Sequence, residues 1–487
     1  MRISSIIPCV RNANGSGHEQ RRQTDGPGKD EVNRMNDFRK TAQEMLEFIR
    51  ISPTCFHAVA NIGRMLEAAG FQQLQEKEEW KLEKGGRYYT ERNDSSVIAF
   101  AIPEKEVGIR GFHMAAAHSD SPCFKIKENP ELTVEEHYLR LNTEKYGGMI
   151  LSTWLDRPLS IAGRLAVKNG NGIEGRLVNI DRNLCVIPNV AIHMNREMNK
   201  GVEYNPQVDL LPLLADVSFD EYDTHTTYDA QNASENAEEQ PETVEKPTLA
   251  ALAAEAAGVD AETILGEDLF LYTRQEGKMI GAKGEFVLSP RLDDLQSAFA
   301  LTKAFTESTP AEYINLCAVF DNEEVGSGTR QGADSTFLED TLQRITEGLQ
   351  EGHSTYLRWV ADSFLISADN AHAVHPNHPE KADPANRPYL NGGIVIKYHG
   401  SQKYTTDGIS AAKMKDYCER AKVPYQTYAN RSDIAGGSTL GNISTAHVSV
   451  SSVDIGLPQL AMHSAVETAG MKDTEYAVRA LKEFWGE

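Results

Sequence analysis

The run Ile314-Asn315-Leu316-Cys317-Ala318-Val319-Phe320 is almost wholly apolar, and the chain then reads Asp321-Asn322-Glu323-Glu324-Val325-Gly326-Ser327. An apolar run this short fits a buried strand better than a helix. Two adjacent carboxylates followed by glycines at the exit of a buried strand suggest a place where negative charge must be held. Acidic residues after a strand often just begin a loop, so the stretch decides nothing by itself. It gains weight from the segments that resemble it.

Gly111-Phe112-His113-Met114-Ala115-Ala116-Ala117-His118 reads as a strand of small apolar residues that ends in His118 and breaks at Ser119-Asp120-Ser121-Pro122. Arg291–Ser308 reads as a helix opening at Asp293 and Asp294. Ser363–Ala368 reads as a strand ending at Asp369, and Gln459–Met462 as one ending at His463. In an open α/β sheet the carboxyl ends of the strands share one edge, where ligands bind. Two histidines and several carboxylates meeting there would form a nitrogen and oxygen site suited to Zn²⁺, Co²⁺ or Mn²⁺. The plain alternatives are a hydrogen-bonded structural histidine at each strand end and an N-cap role for Asp293. Asp369 is followed by His372, His375 and His378, a group that fits either a metal site or a polar loop.

The chain has 487 residues, which favours two domains. No apolar run approaches the roughly 20 residues that cross a bilayer. A net charge of −22 repels a nucleic-acid backbone and excludes it as a partner. The cysteines at 9, 55, 123, 185, 317 and 418 form no CxxC pair, the spacing of reduced thiols in a cytoplasmic protein.

Residues 1–34 are polar and aperiodic and read as a disordered tail. Helical spacing begins at Asp37, with a second helix over Ala58–Ala69 and strands near Arg87–Thr90 and Ser96–Ile102. From residue 128 the texture changes to short alternating strands, such as Leu159–Val167, Gly175–Asn179 and Asn189–His193. The acidic stretch 215–246 reads as a loop, and Pro247–Leu265 as helical. The α/β texture returns at 284, with helices over Phe337–Leu349, His353–Ala361 and Asp473–Phe484 and strands at Gly393–Lys397 and Val448–Ile455. The expected architecture is therefore a discontinuous α/β domain, residues 35–127 and 284–487, with a central mixed sheet flanked by helices. A β-rich unit, residues 128–283, interrupts it.

The segments His118-Ser119-Asp120-Ser121-Pro122, Ser289-Pro290-Arg291-Leu292-Asp293-Asp294-Leu295, Phe320-Asp321-Asn322-Glu323-Glu324-Val325-Gly326-Ser327, Ser367-Ala368-Asp369-Asn370-Ala371-His372-Ala373-Val374-His375-Pro376-Asn377 and Ala461-Met462-His463-Ser464 resemble the M18 metallopeptidase family, the aspartyl aminopeptidases. They occur in the family's order, and the similarity runs from about Phe38 to the C-terminus. The resemblance implies a dinuclear zinc aminopeptidase acting on peptides. Its catalytic domain would be interrupted by a dimerisation domain, and dimers would build a dodecamer.

By the same resemblance His118, Asp369, Glu324 and His463 would hold metal, Asp293 would bridge, Glu323 would be the general base and Asp120 would orient His118. His193 matches a family histidine that either binds zinc or reaches a neighbouring subunit's site to polarise the substrate carbonyl; the second fits better with the other ligand positions filled. Lys397 would pair with an acidic substrate side chain, with His372 and Tyr404 as further pocket residues. Asp294 stands where the family commonly has Asn and adds an acid beside the bridge. The rival readings are a broad-specificity aminopeptidase, an N-acyl-amino-acid deacylase with the same metals, and a cage-like assembly protein without activity.

Overall fold

A computed structural model of the chain describes residues 29–104, 108–217, 248–434, 436–437 and 439–487. The tail expected over 1–34 lies outside these residues as far as 28. From Lys29 the chain is already helical, in a helix Lys29–Arg50 that starts earlier than the Asp37 expected. The acidic stretch lies outside from residue 218 on, while Ala215 and Asp216 close a strand, Leu213–Asp216.

A nine-stranded mixed sheet carries the site. Four adjacent strands at its centre run parallel, in the order Ile314–Phe320, Phe112–His118, Phe364–Ala368 and Ser451–Gly456. Their residues alternate between two cores, as the period of a strand requires. Ala115, Ala117, Cys317, Val319, Phe364 and Ile366 face the helices Lys29–Arg50, Cys55–Ala68, Leu292–Thr306, Gly408–Arg420 and Asp473–Trp485. Met114, Ala116, Leu316, Ala318 and Leu365 face Phe337–Gly348, His353–Ala361 and Leu440–His447. The fold is α/β, with helices on both faces of the sheet.

A second sheet of six antiparallel strands runs from Cys123 to Thr273, in the order Gly172–Asn179, Leu159–Asn169, Ile264–Thr273, Cys123–Val134, Tyr138–Tyr146 and Leu213–Asp216. It encloses its own core around Phe124, Leu141, Trp154, Leu165 and Leu269. The change of texture thus falls slightly before residue 128. A separate five-stranded sheet contains Phe286–Ser289, Glu467–Gly470 and Pro458–Leu460.

Two readings of local structure are corrected. Asn189–His193 is irregular chain and a turn, not a strand; Asn189 instead donates to both carboxylate oxygens of Asp156, at 2.9 and 2.7 Å. The helix expected over Pro247–Leu265 is short, Leu249–Ala257, because Gly258 ends it in the left-handed region and Ile264 opens a strand.

Candidate metal centre

The carboxyl ends of the parallel strands bring the expected residues together. His118 ends its strand opposite Phe320, so the Asp321–Glu324 segment leaves the sheet beside it, and Asp369 follows the next strand. Asp293 and Asp294 stand at the mouth of Leu292–Thr306, where neither has helical dihedral angles, and the regular helix begins after them. Three sets of potential ligand atoms each lie within 4.8 Å of one another: His118, Asp293, Asp294 and Asp369; His118, Glu323 and Glu324; Asp293, Glu324 and His463. The shared members make one continuous cluster.

Both imidazoles are aimed by their outer nitrogen. His118 Nδ1 lies 3.1 Å from the carbonyl oxygen of Asp120, and His463 Nδ1 lies 2.6 Å from that of Gly148. A carbonyl can only accept, so each Nδ1 carries a proton and each Nε2 is turned inward. His118 Nε2 is 3.4 Å from Asp293 and 3.9 Å from Asp369. His463 Nε2 is 3.5 Å from Glu324 and 3.7 Å from Asp293.

The cluster holds more negative charge than its neighbours answer. Asp293 Oδ1, Asp294 Oδ1 and Glu324 Oε1 are buried and accept no hydrogen bond from the described residues, a costly state for a carboxylate unless a cation is supplied. Burial pushes the carboxyls of Asp294 and Glu324 well above their ordinary range, and that of Glu323 up to about 8. Burial works against charge on His118, but Asp120 and Asp293 beside it outweigh that and hold its imidazole well above the usual value. Buried oxygens without donors, facing two inward nitrogen atoms, fit a divalent cation of the zinc class.

A supporting ring of residues holds these groups. Asp120 accepts the backbone N–H of Glu323 and of Glu324, each at 3.2 Å, and the hydroxyl of Tyr146 at 2.8 Å. Asn322, at φ 63°, turns the chain out of the strand and donates to Tyr146 Oη at 2.8 Å. Glu467 accepts the backbone N–H of Asp293 at 3.0 Å and that of His463 at 2.7 Å. Asp294 accepts the backbone N–H of His118 at 3.3 Å, so it ties the bridge region to the first strand.

A sequence model of aminopeptidase I zinc metalloproteases (M18) matches residues 48–485. The chain belongs to the M18 metallopeptidase family. A probable M18 family aminopeptidase 2 of Clostridium novyi (strain NT) is 46% identical over 448 residues, 92% of this chain and 98% of its own length. One from Pseudomonas syringae pv. tomato is 38% identical over 441 residues, 91% and 97% of the two chains. Among solved M18-like folds, a cryo-EM structure of the Ape4 and Nbr1 complex superposes with a TM-score of 0.85 at 36% identity, covering 93% of this chain and 86% of that one. A yeast mApe1 dodecamer superposes at 0.76 with 26% identity, covering 92% and 97%. As a member of M18 the protein is a zinc metallo-aminopeptidase, a hydrolase.

Around the M18 centre, Lys397 is buried with its ammonium 3.4 Å from Asp369 and 5.4 Å from the ring of buried Tyr404. His372 is exposed, its ring 6.1 Å from that of Tyr428. The rings of His375 and His378 lie 5.3 Å apart on the surface, tilted to each other, and do not join the ligand sets. His193 sits on an exposed turn of the six-stranded unit and is not among those sets within one chain. Sequence reasoning missed Glu467 and Tyr146. One acid in a short strand and one tyrosine before two glycines carry no pattern that marks them.

Proposed function

We propose that this M18 enzyme is a dinuclear zinc aminopeptidase that removes N-terminal residues from peptides, with preference for Asp and Glu. The observation that carries this reading is the cluster of carboxylates around the inward Nε2 atoms of His118 and His463, within which Asp293 Oδ1, Asp294 Oδ1 and Glu324 Oε1 are buried without a donor. Two ligand sets that share Asp293 favour two ions over one: His118 and Asp369 on one side, Glu324 and His463 on the other, Asp293 common to both. When bound, zinc polarises the scissile carbonyl and brings the pKa of a water to about 7.

The chain's own residues do the rest. Glu323, not needed as a ligand, takes a proton from the attacking water and returns it to the leaving amine. Asp120 fixes the Glu323–Glu324 backbone and the His118 ring, so the base stays beside the ligands. The unpaired carboxylates around the centre accept the free α-amine, which confines cleavage to the N-terminus. Lys397, a buried cation 3.4 Å from Asp369, supports pairing with an acidic substrate side chain, with Tyr404 and His372 as further pocket residues.

The six-stranded unit, approximately residues 128–283, acts as the dimerisation domain, and a dodecameric structural relative supports assembly beyond the dimer. His193, on its exposed turn, polarises the carbonyl of a substrate bound to the neighbouring subunit. The described cysteines are all unpaired and no described helix is long and apolar enough to cross a membrane, which supports the cytoplasm as the site of action. The test is a panel of Asp-, Glu-, Leu- and Lys-aminoacyl substrates, assayed after chelation and after zinc is restored. Zinc-dependent turnover highest on Asp and Glu is expected; equal rates on Leu would establish the broad-specificity alternative.

A further inference from the structure

Several parts of the metal centre lean on one short piece of the other sheet, the exit Tyr146-Gly147-Gly148 of the strand Tyr138–Tyr146 and the turn that follows it. Gly148 offers its carbonyl to His463 Nδ1 at 2.6 Å. The backbone N–H of Ile150 donates to the carbonyl of His463 at 2.9 Å, and Thr153 Oγ1 accepts the N–H of Ala465 at 2.9 Å. His463 itself is partly exposed and sits at φ 67°, so nothing regular in its own segment fixes the ring. Tyr146 donates to Asp120, which in turn holds His118, Glu323 and Glu324. Gly147 has φ 78°, and a Cβ there would come within 3.1 Å of Glu324 Cβ. Residues 146–153 contain no carboxylate, imidazole or thiol. Whatever they do for the centre they do through other residues.

We infer that segment 146–153 is the positioning element of the metal centre, which locks His463 and Asp120 in place and thereby sets how tightly zinc is held. This rests on the zinc reading above. The geometry follows the general requirement that a metal-bound imidazole give its other N–H to a fixed acceptor. For His118 that acceptor is the carbonyl of Asp120 within the α/β part, but for His463 it is the carbonyl of Gly148 in the β-rich unit, so the His463 ring is fixed only with the second sheet docked. Tyr146 and Gly148 are positioning residues, and the surface that docks them is part of the active site.

The experiment measures zinc affinity by competition with a chromophoric chelator on the full chain. The chelated proteins are first shown by circular dichroism to be folded at the temperature used. Tyr146→Phe removes the bond to Asp120, and Gly147→Ala pushes a methyl group against Glu324. Each is expected to bind zinc about tenfold to hundredfold more weakly; chelated Tyr146→Phe should melt as the wild type does, whereas Gly147→Ala, strained at φ 78°, should melt lower while staying folded at the assay temperature. Tyr272→Phe removes a hydroxyl bond to Asn179 in the same sheet and should leave zinc affinity unchanged. Wild-type zinc affinity in Tyr146→Phe or Gly147→Ala, or an equal loss in Tyr272→Phe, overturns the inference. Failure of the wild-type chain to bind zinc would instead overturn the zinc reading on which it stands.

Discussion

Asp268, on the six-stranded sheet, lies 2.9 Å from Arg164 and 3.3 Å from Lys125, and Arg164 reaches Asp94 at 3.1 Å while covering the ring of Phe56. Burial raises its pKa, but the two cations outweigh burial and the carboxyl sits below its usual range. Around Asp293 the proportion is reversed. Asp294, Glu323, Glu324, Asp369 and Glu467 crowd the same edge, and His118, His463 and Lys397 face them. The first cluster is complete within the chain. The second is stable as drawn only if protons or added cations make up the difference, and inward-turned imidazoles favour cations. Asp473 is intermediate: it is buried and answered by two backbone N–H groups, of Asn391 and Gly393 at 2.7 and 2.9 Å, with burial pushing its pKa up to about 7.

This contrast can be broken or sharpened by experiment. Glu323→Gln should keep the zinc content measured by atomic emission yet lower kcat by roughly 10²–10⁴, the span of a lost general base; a variant that stays active would move the base elsewhere. Lys397→Met should lower kcat/KM on Asp and Glu substrates by about tenfold to hundredfold and on Leu substrates by less, because the ammonium also faces Asp369 at 3.4 Å. Asp473→Asn tests a carboxylate answered first by backbone dipoles, with Lys472 the lesser influence. Its folded pKa is raised, so its contribution is fully present below the ordinary value of 3.8 and lost as pH rises through about 7. The wild type should therefore lose about 1.4 kcal/mol between pH 6 and 8 from this group, a slope missing from urea titrations of the variant. Arg164→Met should cost about 1 kcal/mol or more in the same titrations and leave zinc binding untouched, as expected of a half-buried pair outside the ligand cluster.

The central strands were legible because continuous apolar runs such as Ile314–Phe320 have few alternatives, and the ligand cluster because each run ends on a chemically distinct residue. Gly408–Arg420 was not anticipated as a helix. Its start is marked by a capping box from Asp407 to Ser410, a signal that lies in local polar residues and not in apolar spacing. The strand expected at Asn189–His193 failed for the opposite reason: its alternating apolar residues, Val190 and Ile192, are exposed within one chain. Glu467 and Tyr146 act through backbone groups and a hydroxyl bond across sheets, contacts made only once the chain has folded.

The strand Ser451–Gly456 lies between Phe364–Ala368 and Ile394–Tyr398, although it is the last of the nine to be made. The pair Ile394–Tyr398 and Tyr425–Ala429 joins the parallel centre through this strand, so the last strand in sequence carries the edge that precedes it, and His463 lies beyond it.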